Sequence, residues 1–383
     1  MKDTIIQDVQ AIATVITKLS DFIHDHPELG NEEFQASEQL TAFLASHGFS
    51  LERGIANRPT AFKAVFDSGK EGPTVAYLCE YDALPEIGHG CGHNMIGAMS
   101  VGAAAALSKN LPRGKVVVFG TPAEETDGAK VELANGDYFQ GIDAAMILHP
   151  DDLSEESGTS LAIDALQFDF RGKASHAAAA PEKGINALDA AILLFNGINA
   201  LRQHVPAGVK LHGIIKEGGL AANIVPEKAV AQFYVRAPKR KTLDEVVEKV
   251  KKIAEGAALM TGATLSVSSY EISYDDMNTN ETLSKVFTEN LKRTGVEEIH
   301  PPRPSLGSID MGNVSQVVPS IHPYIGISGL GIVGHTPEFR DATVTEQAHQ
   351  ALVRGATALA LTGYDLLSDE ALLQKVKQEF ARR

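Results

Sequence analysis

Tryptophan is absent from this 383-residue chain, aromatic residues make up 6% of it, and only two cysteines occur, Cys79 and Cys91. Two thiols cannot staple a disulfide framework, which excludes the small secreted scaffolds and suits a reducing compartment. Positive charge is also short: 34 Lys and Arg stand against 49 Asp and Glu, a net charge of −15. A surface that tracks phosphates is therefore not expected, and no nucleic-acid partner is assigned. Nowhere does an apolar run reach the roughly 18 residues of a membrane span. Residues 1–19 interrupt their apolar positions with Lys2, Asp3, Asp8 and Lys18, the pattern of an amphipathic helix without a signal-peptide core. What is present, 44% hydrophobic and 22% charged residues, is ordinary for a folded soluble protein. The expectation is a cytoplasmic enzyme of small molecules with no membrane partner.

At about 150 residues per domain, the length suggests two to three domains. β-rich apolar runs at 61–66, 74–79, 115–119 and 143–148 alternate with helical stretches at 94–108 and 128–139. That alternation predicts an α/β domain, a mostly parallel sheet with helices on both faces. After about residue 165 the pattern changes. Strand-like 167–170 precedes a helix over 185–201 that aligns Leu188, Ile192 and Phe195, and strand-like 209–215 and 229–235 follow. Thr242-Leu-Asp-Glu245 reads as a capping box that opens a helix carrying Leu243, Val246, Val247 and Val250, and 264–270 adds a strand. The order β-α-β-β-α-β predicts a ferredoxin-like α+β domain. The α/β pattern resumes after 276 with an apolar run at 321–327. The expected organisation is a discontinuous catalytic domain, 1–165 and 276–383, with an inserted domain at 166–275.

The residues that carry chemistry are Cys91 and His93 in Gly88-His-Gly-Cys-Gly-His-Asn94, Glu124 and Glu125 in Thr121-Pro-Ala-Glu-Glu125, His149 before Pro150, and His335 in Gly334-His-Thr-Pro337. Each follows a predicted strand, where open α/β sheets build their sites, so the six can converge. Thiolate, imidazole and carboxylate suit zinc and related divalent ions. Taken singly, each has a plainer reading: a buried Cys is commonly a small hydrophobe, and paired glutamates commonly begin a helix. Coincidence of type and place favours the metal reading, with one glutamate for metal and its neighbour for proton transfer. His24, Asp25, His26 and Glu28, with Pro27 and Gly30, read instead as a structural turn after the first helix.

These motifs resemble the dinuclear-metal aminoacylase/carboxypeptidase-type metallopeptidase family (clan MH), in the amidohydrolase branch that carries Cys-Gly-His. Tyr81-Asp-Ala-Leu-Pro85, Pro122-Ala-Glu-Glu125, Ala174-Ser-His-Ala177, Gly218-Gly-Leu-Ala-Ala-Asn223 and Asp310-Met-Gly-Asn-Val-Ser315 carry the likeness with the motifs above. It covers most of the chain, from His24 to His335. It looks closest to β-alanyl-lysine-type dipeptidases and p-aminobenzoyl-glutamate hydrolases. The resemblance implies that Cys91, His93, Glu125, His149 and His335 bind two divalent metal ions, zinc or manganese, with cobalt also accommodated. It implies Glu124 as general acid/base, Asp82 behind a ligand, His176 from the inserted lid/dimerisation domain at the scissile carbonyl, and Asn223 and Arg236 on the substrate. The implied reaction is hydrolysis of the amide bond of a dipeptide or N-acyl amino acid by a homodimer or homotetramer. A peptidase of longer peptides and a catalytically silent metal-binding protein are the alternatives.

Overall fold

A computed structural model describes residues 1–304, 307–329 and 331–382. They form two compact units: Met1–Thr159 with most of the chain from Met277 onward, and Ser160–Asp276 with a short return before Asp310.

The first unit opens with helices α1 (Lys2–Asp25) and α2 (Phe34–Ser46). In α1, Ile5, Val9, Ile12, Ile16, Leu19 and Ile23 recur every three or four residues and form its buried stripe. Strands β1 (Ser50–Arg53), β2 (Phe62–Asp67) and β3 (Thr74–Cys79) come next. Helix α3 (His93–Lys109) leads to β4 (Lys115–Gly120), and α4 (Ala129–Asn135) leads to β5 (Ala144–Met146) and β6 (His149–Asp151).

The second unit runs β7 (Ala162–Arg171), α5 (Ala187–Leu201), β8 (Lys210–Glu217), β9 (Lys228–Ala237), α6 (Arg240–Thr261) and β10 (Thr264–Ser269). The chain then returns to the first unit as α7 (Glu281–Arg293), α8 (Met311–Val317), β11 (Ser320–Ile321) and β12 (Tyr324–Gly326). It ends with α9 (Pro337–Ala342), α10 (Glu346–Ser368) and α11 (Glu370–Ala381).

The main sheet has the order β1-β2-β4-β3-β5-β11. From β4 to β11 its pairs are parallel, and β1 and β2 add an antiparallel edge. β3 is buried at every position, which is why its sequence is a continuous apolar run without alternation. Helix α3 is likewise buried from His93 to Ser108, and its Gly and Ala residues let α1 and α10 pack closely on it.

Several expected runs divide. The 61–66 run forms antiparallel β2, not a parallel strand. The 143–148 run stops at Met146, and His149 opens a separate ladder in which β6 pairs with β12. The 321–327 run breaks between Ile321 and Tyr324, where Pro323 has no amide to continue a ladder. Helix 128–139 shortens to α4 because Gly136 ends it and Asp137 adopts φ 60°. His24 and Asp25 are the last residues of α1 and do not belong to the turn that follows it.

The second unit has the order β10-β7-β9-β8, with every pair antiparallel. Counted within the unit this is 4-1-3-2, the ferredoxin-like order. Phe168, Phe170 and Phe233 from the sheet meet Leu194, Val246 and Val250 from α5 and α6 in one core. The capping box expected at Thr242–Glu245 does not form, because α6 begins at Arg240. Asp276 takes over the role: its Oδ1 accepts the Arg240 amide at 2.8 Å and its Oδ2 meets Lys239 Nζ at 2.9 Å. A charged acceptor brought from 36 residues away displaces the local hydroxyl. Among the described residues no helix is long and apolar enough to cross a membrane.

Replacing this cap should be felt as stability. Asp276→Ala is expected to cost about 1 kcal/mol or more, read as a lower urea midpoint at unchanged slope.

Candidate metal centre

The centre is assembled in the first unit from turns that follow the strands. Cys91 and His93 flank Gly92, which caps α3 in the left-handed region at φ 81°. A Cβ at Gly92 would overlap Pro150 Cγ, so only glycine lets the β6 strand close on this turn. That approach sets His149 Nε2 3.5 Å from Cys91 Sγ. Beyond β3 the chain supplies Glu80 and Asp82, and beyond β4 it turns through Ala123, at φ 63°, to Glu124 and Glu125. His335, at φ 64°, is tied back by its amide to the Gly90 carbonyl at 2.8 Å.

Among the described residues, three groups of donor atoms lie mutually within 4.8 Å: Cys91, His93 and His149; Cys91, Glu125 and His335; and His93, Glu124 and Glu125. Cys91 is common to the first two and stands between them. His335 Nε2 approaches Glu125 Oε1 at 3.4 Å, and its side chain is 57% exposed, so the centre opens to solvent on that side.

The imidazoles are oriented by acceptors behind them. His93 Nδ1 faces Asp82 Oδ1 at 2.9 Å and the Asp82 carbonyl at 3.1 Å. Both partners can only accept, so Nδ1 carries a proton and Nε2 is the nitrogen turned toward the other donors. His149 Nδ1 meets the Pro150 carbonyl at 2.7 Å with the same result. Asp82 Oδ2 accepts the Glu125 amide at 2.9 Å, so one buried carboxylate holds both His93 and Glu125. Buried His93 Nε2 and Glu125 Oε1 have no hydrogen-bond partner, which fits both as donors to cations.

The titratable groups of the centre shift in different directions. Although burial opposes it, the charges of Asp82 and Cys91 hold the His93 proton well above the usual histidine range. Burial, with His322 and His93 nearby, pushes His149 down to about 3. Burial pushes the Cys91 thiol up and, with the charges of Glu80 and Asp310, the Glu124 carboxyl well up.

Behind the centre lies a cluster that sequence reasoning missed. Lys130 Nζ, fully buried, meets Glu80 Oε1 at 2.5 Å and Asp310 Oδ1 at 2.6 Å. Burial works against ionised Glu80, but Lys130 and then His93 hold it down to about 2. Its other oxygen sits 3.4 Å from His93 Nε2. A lysine on the apolar-flanked α4, two residues after Gly128, was the available signal. His322, its ring tilted 31° to that of His149 with centroids 5.5 Å apart, lay hidden in an apolar run.

The remaining expected residues belong to the second unit. His176 is exposed, and its Nδ1 accepts the Ala178 and Ala179 amides at 3.2 and 3.1 Å, which leaves the ring proton on Nε2. Asn223 is beside it: its carbonyl accepts the Ala177 amide at 3.0 Å. Arg236, on β9, lies 5.6 Å from the Tyr234 ring centre, and its guanidinium reaches Ser308 Oγ at 3.3 Å.

Residues 163–260 match the family model described as a peptidase dimerisation domain. The Xaa-Arg dipeptidase of Mus musculus is 39% identical, the alignment covering 94% of this chain and 88% of that protein. A p-aminobenzoyl-glutamate hydrolase polypeptide of Escherichia coli K12 is 30% identical over 95% of this chain and 91% of its own. A Bacillus subtilis protein, described with its crystal structure as a dinuclear metal binding peptidase from the M20 family, superposes with a TM-score of 0.71. It has 20% identity over 94% of this chain and 99% of that one.

Lys130→Met should leave two carboxylates buried without their cation and cost about 3–5 kcal/mol in chemical denaturation. Adding Glu80→Gln and Asp310→Asn to Lys130→Met should recover much of that loss.

Proposed function

This chain belongs to the M20 peptidase family and hydrolyses amide bonds; from that premise we propose a metal-dependent dipeptidase or N-acyl amino acid hydrolase. The observation that carries this is the pair of donor groups that share Cys91, with Glu124 beside them and outside both. Dipeptides ending in a basic residue head the substrates, since the Xaa-Arg dipeptidase is a relative at 39% identity.

We assign Cys91, His93 and His149 to one ion and Cys91, Glu125 and His335 to the other. The shared thiolate favours zinc by softness, and the imidazoles and carboxylate also accept manganese or cobalt. Two such ions, when bound, lower the pKa of a water toward neutrality and polarise the scissile carbonyl. Glu124 takes the remaining proton of the attacking water and returns it to the leaving amine. Asp82 keeps His93 in its ligating tautomer and Glu125 in place. His176, with its proton on Nε2, donates to the developing oxyanion, and Asn223 and Arg236 hold the carboxylate end of the substrate.

The protein acts in the cytoplasm on this reading, where its two free thiols stay reduced. It self-associates through its second unit as a homodimer or homotetramer. Strand β8 is one of the two outer strands of that sheet and exposes Ile214 and Ile215, a ready edge for pairing with a second copy.

Release of free amino acid from dipeptides, abolished by a chelator and restored by zinc, manganese or cobalt, is the expected outcome; no release from any dipeptide or N-acyl amino acid overturns the proposal. Glu124→Gln should lower kcat by a factor on the order of 10²–10⁴ with the metal count unchanged. Cadmium titration should develop a thiolate charge-transfer band that Cys91→Ser lacks. A sedimentation run should find the chain at twice or four times its monomer mass.

A further inference from the structure

The turn that presents Glu124 and Glu125 is held in a backbone conformation its sequence does not favour. Ala123 stands at φ 63°, in the left-handed region that a Cβ disfavours. Within the turn, the amides of Thr126, Asp127 and Gly128 all close onto the Ala123 carbonyl, at 3.2, 3.1 and 2.7 Å. The Ala123 amide goes elsewhere, to Glu33 Oε1 at 2.8 Å.

Glu33 immediately precedes α2 and is fully buried. Its second oxygen accepts the Thr60 hydroxyl at 2.8 Å. Gly30 lies flat on the acidic turn: a Cβ there would be 2.5 Å from Thr126 Oγ1 and 2.9 Å from Ala123 Cβ. At the other end of the turn, Asn31 Nδ2 and Arg58 Nη1 reach Asp127 Oδ1 at 3.0 and 2.7 Å. Residues 30–33 therefore grip the turn at both ends. A carboxyl this deep is costly to bury, and burial pushes Glu33 up to about 7, while both its oxygens are engaged by hydrogen bonds.

We propose that Glu33 is a positioning residue: by accepting the Ala123 amide it holds the left-handed turn that sets Glu124 and Glu125 in the metal centre. The proposal rests on the reading of those two glutamates given above. It assigns a task to a segment whose sequence reads as a plain turn after α1. What is required of Glu33 is an acceptor at the end of a side chain of this length, and a negative charge is not.

Four variants test it. Glu33→Gln keeps the acceptor and should retain kcat and zinc affinity within about threefold. Glu33→Leu removes it and should lower kcat on the order of 100-fold, with KM little changed, and weaken zinc binding by calorimetry about tenfold or more. Ala123→Gly makes a left-handed residue easy to form, so placed in the Glu33→Leu protein it should restore a large part of both losses. Glu33→Asp withdraws the acceptor by one methylene and should show a smaller loss with the same rescue, which carries the test where Glu33→Leu does not fold. A folded Glu33→Leu protein with unchanged kcat and zinc affinity overturns the proposal, as does a loss that Ala123→Gly leaves untouched. Were the wild-type chain to hydrolyse nothing, the functional reading would fall while the zinc measurements still reported on Glu33.

Discussion

The Asp82 carboxylate is the tie on which the centre depends. One oxygen fixes the tautomer and plane of His93, and the other anchors the Glu125 amide. His93 belongs to the donor group that contains His149, and Glu125 to the group that contains His335. A single buried side chain thus couples the two halves of the site. Its own charge is maintained against burial by His93 and by the Glu125 amide, so it stays ionised and acceptor-only.

So much buried negative charge needs a counterweight that does not compete for the ligand positions. Lys130 provides it from behind. Its ammonium is spent on Glu80 and Asp310, so the lysine cannot swing forward to neutralise Glu124 or Glu125. Glu80, held ionised, adds its field at His93 Nε2, while Asp82 acts at Nδ1. The front of the site remains acceptor-rich, a chemistry that suits a divalent cation, and the back is compensated, which is what allows the fold to tolerate it.

Much of this was legible in the sequence because the candidate donors follow the strands, and strands with continuous apolar runs such as β3 announce themselves. The thiol, three imidazoles and adjacent glutamates could be named from the sequence, since their residue types restrict the chemistry they can share. The ferredoxin-like order of the second unit followed from the alternation of short strands with two amphipathic helices. What stayed hidden were residues whose partners are distant in sequence. Asp276 caps α6 from beyond β10, Asp310 reaches Lys130 across 180 residues, and Glu33 serves Ala123 across 90. A local pattern carries no trace of such pairs. The Thr242–Glu245 box had the right letters and lost to a carboxylate that only the tertiary fold delivers.

Backbone conformation explains why the donor atoms converge at all. Three residues of the centre lie in the left-handed region: Gly92 between the thiol and the first imidazole, Ala123 before the two glutamates, and His335 itself. In each case a relaxed, right-handed or extended residue would carry the neighbouring side chain away from the common focus. Glycine meets the requirement at position 92 without strain, but Ala123 and His335 do not, and both are restrained from outside their own turns. Ala123 is held by Glu33, and His335 by the Gly90 carbonyl, which belongs to the turn that carries Cys91. Unfavourable backbone persists only where surrounding contacts over-determine it. For His335 that contact comes from a segment that itself carries one of the clustered donor atoms, and for Ala123 it comes from a buried carboxylate outside the donor set. The geometry of the donor atoms and the cost of holding them are therefore set together.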